Sequence, residues 1–144
     1  MLLPVSKRLC GIDLSDQMID IAKKRLPKAE LCVGDAEKLP WDDNTFDVVS
    51  CTDSFHHYPN PLNVLRGTRR VLKPEGRLII ADPYYTFLKR FLINAFAQFG
   101  DSGDFRVYSK ETITELLKQA GFCKIRFSVL EDKAFIVTAQ PGLL

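Results

Sequence analysis

The chain lacks a strong excess of one charge, a long apolar run and all but two histidines. Lysine plus arginine number 20 against 18 aspartate plus glutamate, a formal net charge of +2. A nucleic-acid-binding domain normally carries a basic patch, so this balance gives no reason to expect DNA or RNA as a partner. No apolar stretch reaches the roughly 20 residues that cross a bilayer as a helix. Met1 to Val5 is too short for the core of a signal peptide, and a cytoplasmic address is the expectation. The four cysteines (Cys10, Cys32, Cys51 and Cys123) show no Cys-x-x-Cys spacing. Zinc-binding thiolates normally come in close pairs, so no metal site is expected. Cys10, Cys32 and Cys51, in or beside apolar runs, are expected to be reduced core residues that behave as small hydrophobes.

What is present is an alternation of strand and helix patterns, which predicts a mostly parallel sheet with helices on its faces. The 144 residues leave room for one domain, 1–144. Arg8 to Asp13 predicts a strand ending in a carboxylate. Ser15 is placed to cap a helix with Met18, Ile19, Ala22 and Leu26 as its stripe, stopped by Pro27. Glu30 to Val33 and Phe46 to Cys51 predict strands. Asn60-Pro61 marks a helix start, with Val64, Leu65, Thr68 and Leu72 facing inward. Lys73 to Gly76 predicts a turn, and Arg77 to Ala81 a strand. Residues 84–99 are rich in aromatics and predict a helix with a wide apolar face, followed by a glycine-containing break at Gly100 to Asp104. Ser109 caps a last helix with the stripe Ile113, Leu116, Leu117 and Ala120, and Gly121 stands where a left-handed residue is wanted. Lys124 to Leu130 and Ala134 to Ala139 predict an antiparallel pair.

Two carboxylates stand out because each follows a strand. Asp35 lies in Gly34-Asp35-Ala36, just past the strand ending at Val33. A carboxylate followed by a small residue with an available N–H suits an adenine edge: the acid accepts from the exocyclic amine and the N–H donates to a ring nitrogen. Asp13, at the end of an earlier strand, adds a second acid and suggests a nucleoside-binding α/β protein. Each has a plainer explanation. Asp13 suits the positive end of the next helix, and Asp35 suits an ordinary turn. The absence of Gly-x-Gly-x-x-Gly argues against a nicotinamide-dependent enzyme.

Several segments, in order along most of the chain, carry a resemblance. They are Gly11-Ile12-Asp13-Leu14-Ser15, Gly34 to Pro40, Phe46 to Val49, Phe55-His56-His57, Val71 to Leu78 and Gln119-Ala120-Gly121-Phe122. The chain resembles the class I S-adenosylmethionine-dependent methyltransferases, specifically their type 11 small-molecule branch. The resemblance implies a Rossmann-like methyltransferase sheet, mostly parallel with an antiparallel C-terminal strand pair, and S-adenosylmethionine as cofactor. It implies that Asp13 holds the ribose hydroxyls, that Leu14 packs on the adenine, and that Asp35 and Ala36, after Gly34, read its edge. Backbone near Cys51 and Thr52 would line the methionine portion, with Phe55 beside it. His56 or His57 would act as a general base, or the pair would simply pack in its loop. Tyr84 and Tyr85 would contact the methyl acceptor beyond the strand ends. Arg106 and Tyr108 would close over the site or anchor their loop. The acceptor would be a small molecule, apolar or aromatic, attacking through oxygen, nitrogen or carbon.

The chain departs from that family at its start. The family opens with a strand and a glycine-rich turn, and Met1 to Lys7 contains no glycine. The expectation is a sheet truncated at its N-terminal side, with unpaired strand edges where backbone groups want partners. The rival to an active transferase is therefore a truncated, non-catalytic remnant serving as a binding or interaction module.

Overall fold

The computed structural model describes residues 8–85, 106–131 and 133–142. The aromatic helix expected over 84–99 lies outside the described residues beyond Tyr85, as does the break at Gly100 to Asp104. The chain divides into two compact units, Met1–Pro40 and Trp41–Leu144.

The first unit is a βαβ element made of β1 (Cys10–Asp13), α1 (Asp16–Arg25) and β2 (Glu30–Val33). The strands run parallel, with Gly11 opposite Leu31 and Asp13 opposite Val33. Ser15 caps α1, its Oγ accepting from the Met18 N–H at 3.3 Å. Asp16 sits in the first turn and Lys23, Lys24 and Arg25 in the last, each matched to the helix dipole. Pro27 follows the helix end. Of the expected stripe only Ile19 is buried, and Met18 is 53% exposed. The reason is geometric, since two strands offer a helix too narrow a surface to cover a full face.

The second unit holds β3 (Phe46–Thr52), α2 (Pro61–Val71), β4 (Leu72–Pro83), α3 (Lys110–Gln119), β5 (Phe122–Leu130) and β6 (Ala134–Pro141). Its sheet has the order β3-β4-β6-β5. β3 and β4 are parallel; β6 runs antiparallel to both β4 and β5. This is the expected α/β architecture, parallel pairs with an antiparallel C-terminal pair. Pro61 occupies the first turn of α2, where its missing N–H costs no helix bond. The Asn60 side chain makes no cap hydrogen bond. Ser109 does cap α3, its Oγ accepting from the Thr112 N–H at 3.1 Å.

One element differs from expectation. Lys73-Pro74-Glu75-Gly76 is not a turn between helix and strand but part of β4, at a break in register. Phe46 faces Leu72 while Val48 already faces Arg77, so the excess residues bulge out of the ladder. Gly76 is buried there, and a Cβ would lie 2.9 Å from the Lys73 carbonyl oxygen and 3.1 Å from that of Phe46. Both are backbone atoms, which cannot swing aside as a side chain can.

The core of this unit includes Leu65, Ile80, Ile113, Leu117, Phe135 and Val137, each at most 1% exposed. Gly121 adopts φ of 85°, the left-handed turn expected after α3. The Arg69 guanidinium locks that turn, donating to the carbonyls of Gly121 and Gly142, both at 3.0 Å. No helix among the described residues is long and apolar enough to cross a membrane.

Candidate functional site

In the first unit the parallel register puts Asp13 and Asp35 at the same, carboxyl-terminal end of neighbouring strands. The Gly34 N–H donates to the Asp13 carbonyl at 2.9 Å, which carries the ladder one step past β2. A Cβ at Gly34 would lie 2.9 Å from Ile12 Cδ1, the movable end of a side chain. Each acid is held the same way. Asp13 Oδ1 accepts from the Ser15 N–H, and Asp35 Oδ1 from the Glu37 N–H, both at 2.8 Å. Asp35 thereby caps a one-turn 3-10 helix, Ala36–Lys38. Both acids are exposed. The plainer turn and helix-entry roles are thus real, and they fix the carboxylates without exhausting them, since an ionised carboxylate accepts several donors. Ala36 opens the short helix, so its N–H is one that the helix itself does not use. Leu14, beside Asp13, is 72% exposed, and Val33 is 54% exposed. Two acids and an apolar surface therefore share one strand end.

In the second unit, the end of β3 and the turn after it are organised by Asp82, a residue the motifs did not single out. Asp82 is 3% exposed. Its Oδ1 accepts from the N–H groups of Ser54 at 3.0 Å and Phe55 at 3.3 Å, and its Oδ2 from that of His56 at 2.8 Å. The His56 ring also approaches, with Nδ1 3.2 Å from Oδ2. That contact has hydrogen-bond length but oblique alignment. A signal for Asp82 exists in the sequence. Leu78, Ile80 and Asp82 alternate along one strand face, and that face is buried, so the acid falls at an inward position.

The expected cofactor-lining residues of this unit have different surroundings. Thr52 is exposed. Cys51 is half-buried, and its thiol lies 3.7 Å from the Tyr58 hydroxyl. Burial pushes that thiol up to about 11, partly offset by the contact with Tyr58. Ser54 Oγ donates to the same hydroxyl at 3.2 Å. Burial raises the Tyr58 hydroxyl too, with Cys51 adding to the effect. Phe55 is 1% exposed and packs its ring against Tyr58 and Tyr108.

His56 and His57 are in ring contact, with centroids 4.0 Å apart, but they differ in setting: the His56 side chain is 12% exposed and His57 lies on the surface. His56, Asp82, Tyr85, Tyr108 and Phe135 help line a cavity of about 140 Å³. Tyr84, next to Tyr85, is tied to the β5–β6 connection by its N–H, which donates to the Lys133 carbonyl at 2.8 Å. Arg106 is exposed, and its N–H donates to the His56 carbonyl at 3.2 Å. Tyr108 is 2% exposed. Burial pushes its hydroxyl up to about 12, against a smaller lowering by Arg106 and with a further push from Asp82. The structure thus brings His56, Tyr85 and Tyr108 to one cavity and leaves His57 outside its lining.

Comparison with known proteins agrees with this architecture. A family model described as a methyltransferase domain matches residues 1–80. A demethylmenaquinone methyltransferase of Thermotoga maritima is 33% identical over 135 residues, covering 79% of this chain and 59% of that protein. The chain therefore spans less than two thirds of that relative's length. The crystal structure of the YcgJ protein of Bacillus subtilis superposes with a TM-score of 0.84 at 15% identity, covering 99% of this chain and 86% of that one. This likeness shows the fold. An S-adenosylmethionine-dependent methyltransferase from Aquifex aeolicus superposes with a TM-score of 0.72 at 25% identity, covering 92% and 68%. With the parallel pairs, the antiparallel end and the family match over more than half its length, this chain belongs to the methyltransferase-domain family and has the class I S-adenosylmethionine-dependent fold.

Proposed function

We propose that the chain binds S-adenosylmethionine through the strand tips of its first unit and serves methyl transfer to a small-molecule acceptor. The observation that carries this reading is the matched pair Asp13 and Asp35, each at the carboxyl end of a neighbouring parallel strand, where ligands of such sheets bind. The donor set fits a nucleoside. Asp13 offers acceptor capacity to two ribose hydroxyls, and Asp35 with the Ala36 N–H offers one acceptor and one donor to an adenine edge. Leu14 supplies apolar surface for a base to lie on.

When bound, the cofactor supplies an electrophilic methyl group on a sulfonium. The chain's own part is positioning, exclusion of water and removal of a proton from an oxygen, nitrogen or carbon acceptor. His56 and His57 are the proton-accepting candidates. Tyr84, Tyr85, Arg106 and Tyr108 are the proposed acceptor contacts, and the three tyrosines suit an apolar or aromatic molecule. Demethylmenaquinone, for which the Thermotoga maritima relative is named, is the first acceptor to assay.

Calorimetric titration of the full chain with S-adenosylmethionine tests the binding step. Saturable heat is expected, with none for NADH at the same concentrations. No heat with S-adenosylmethionine, or saturable heat with NADH, overturns the assignment. Transfer of labelled methyl to demethylmenaquinone then separates an enzyme from a module that only binds.

A further inference from the structure

We propose that Asp82 is a positioning residue that fixes which nitrogen of His56 can take a proton. The inference deepens the methyl-transfer reading, and its test stands apart from cofactor binding. Three consecutive backbone N–H groups, those of Ser54, Phe55 and His56, converge on one buried carboxylate 26 residues further along the chain. The turn that presents His56 is therefore shaped around Asp82. The same carboxylate lies 3.2 Å from His56 Nδ1.

A neutral imidazole carries its proton on one nitrogen and a lone pair on the other. A lone pair on Nδ1 would face the Asp82 oxygen at that distance and be repelled by it. A proton on Nδ1 is attracted even though the contact is oblique. Asp82 thus selects the Nδ1–H form and leaves Nε2 as the basic nitrogen of a ring that lines the cavity with Tyr85 and Tyr108. Asp82 is not itself the base: both its oxygens already face N–H donors, and its side chain is 1% exposed. His57 sits on the surface, away from the cavity lining. His56 is then the catalytic residue of the pair, and the buried acid its positioner.

Long-range proton–nitrogen NMR of the full chain, at a pH where both rings are neutral, reads the tautomers directly. The chain has only two histidines, so His57→Gln assigns the signals. His56 is expected as the Nδ1–H form and His57 as the Nε2–H form usual in water. In Asp82→Asn, His56 should move to the Nε2–H form while His57 stays unchanged. A wild-type His56 in the Nε2–H form overturns the proposal, and so does an unaltered tautomer in folded Asp82→Asn. Should Asp82→Asn fail to fold, the wild-type spectrum alone decides. If S-adenosylmethionine binds and methyl transfer is measurable, His56→Gln should lower kcat at least tenfold with the cofactor affinity unchanged. Absence of cofactor binding would strike the methyl-transfer reading and leave the tautomer result standing.

Discussion

The two units solve opposite problems with the same alphabet. The first has two four-residue strands, one α-helix and a one-turn 3-10 helix, and Ile19 is its one fully buried side chain among the described residues. The second closes a four-stranded sheet over α2 and α3 and buries Leu65, Ile80, Ile113, Leu117 and Phe135 almost completely. In the first unit, local turn chemistry places the acids: each carboxylate is held by an N–H two residues along the chain. In the second, the acid at the centre of the site is held by N–H groups 26 to 28 residues away. Exposed strand-end carboxylates can thus be placed by short-range geometry with little core, whereas a buried carboxylate needs a packed scaffold to bring donors to it.

The contrast can be broken most sharply at Phe135. Phe135→Ala should cost about 3–5 kcal/mol of stability, the usual range for a fully buried aromatic, seen as a large drop in the denaturation midpoint of the second unit. A loss below about 1 kcal/mol would mean that the core is not continuous there. Asp13→Ala should act on binding instead. The affinity for S-adenosylmethionine should fall by about 1–3 kcal/mol, the cost of leaving ligand hydroxyls without a partner. The Phe135-dependent transition should not move, and unchanged affinity would remove Asp13 from the ribose. Ser109→Ala should cost about 1 kcal/mol through loss of the α3 cap. Ser15→Ala should cost less, because its hydrogen bond is longer and exposed, 3.3 Å against 3.1 Å. Equal costs would say that α1 is as firmly integrated as α3.

A smaller effect concerns pH. Cys51 and Tyr108 titrate in the folded unit at about 11 and about 12, raised from 9.0 and 10.0 chiefly by burial. Above pH 9 the unfolded chain loses protons that the folded one keeps. The contribution is therefore complete below that pH and declines as pH rises through the folded values. Thermal melts from pH 8.5 upward should show a falling midpoint, with a shallower fall in Cys51→Ala. A midpoint independent of alkaline pH would show that neither group is protected by burial.

Much of the fold is legible because it is local. Ser15 and Ser109 sit at their helix starts, Gly121 turns left-handed after α3, and the antiparallel pair expected over Lys124–Leu130 and Ala134–Ala139 forms, extended to Phe122–Leu130 and Ala134–Pro141. Asp13 and Asp35 are legible as strand-end acids for the same reason. The length of β4 is not, because Pro74 and Gly76 signal a turn, yet the strand continues past them by bulging against Phe46. Nor is the partial burial of α1, because a helical stripe says which face is apolar and not how much sheet waits to cover it.

The order of strands and helices, the serine caps and the two acids at strand ends were all written in the residues themselves, since each depends on positions a few steps apart. Three outcomes came only with the packed fold: Tyr108 and Phe55 meet in the core, Asp82 gathers the 54–56 turn, and His56 rather than His57 faces the cavity. They join segments some 26 to 79 residues apart, where register and packing choose the neighbour and no local propensity can.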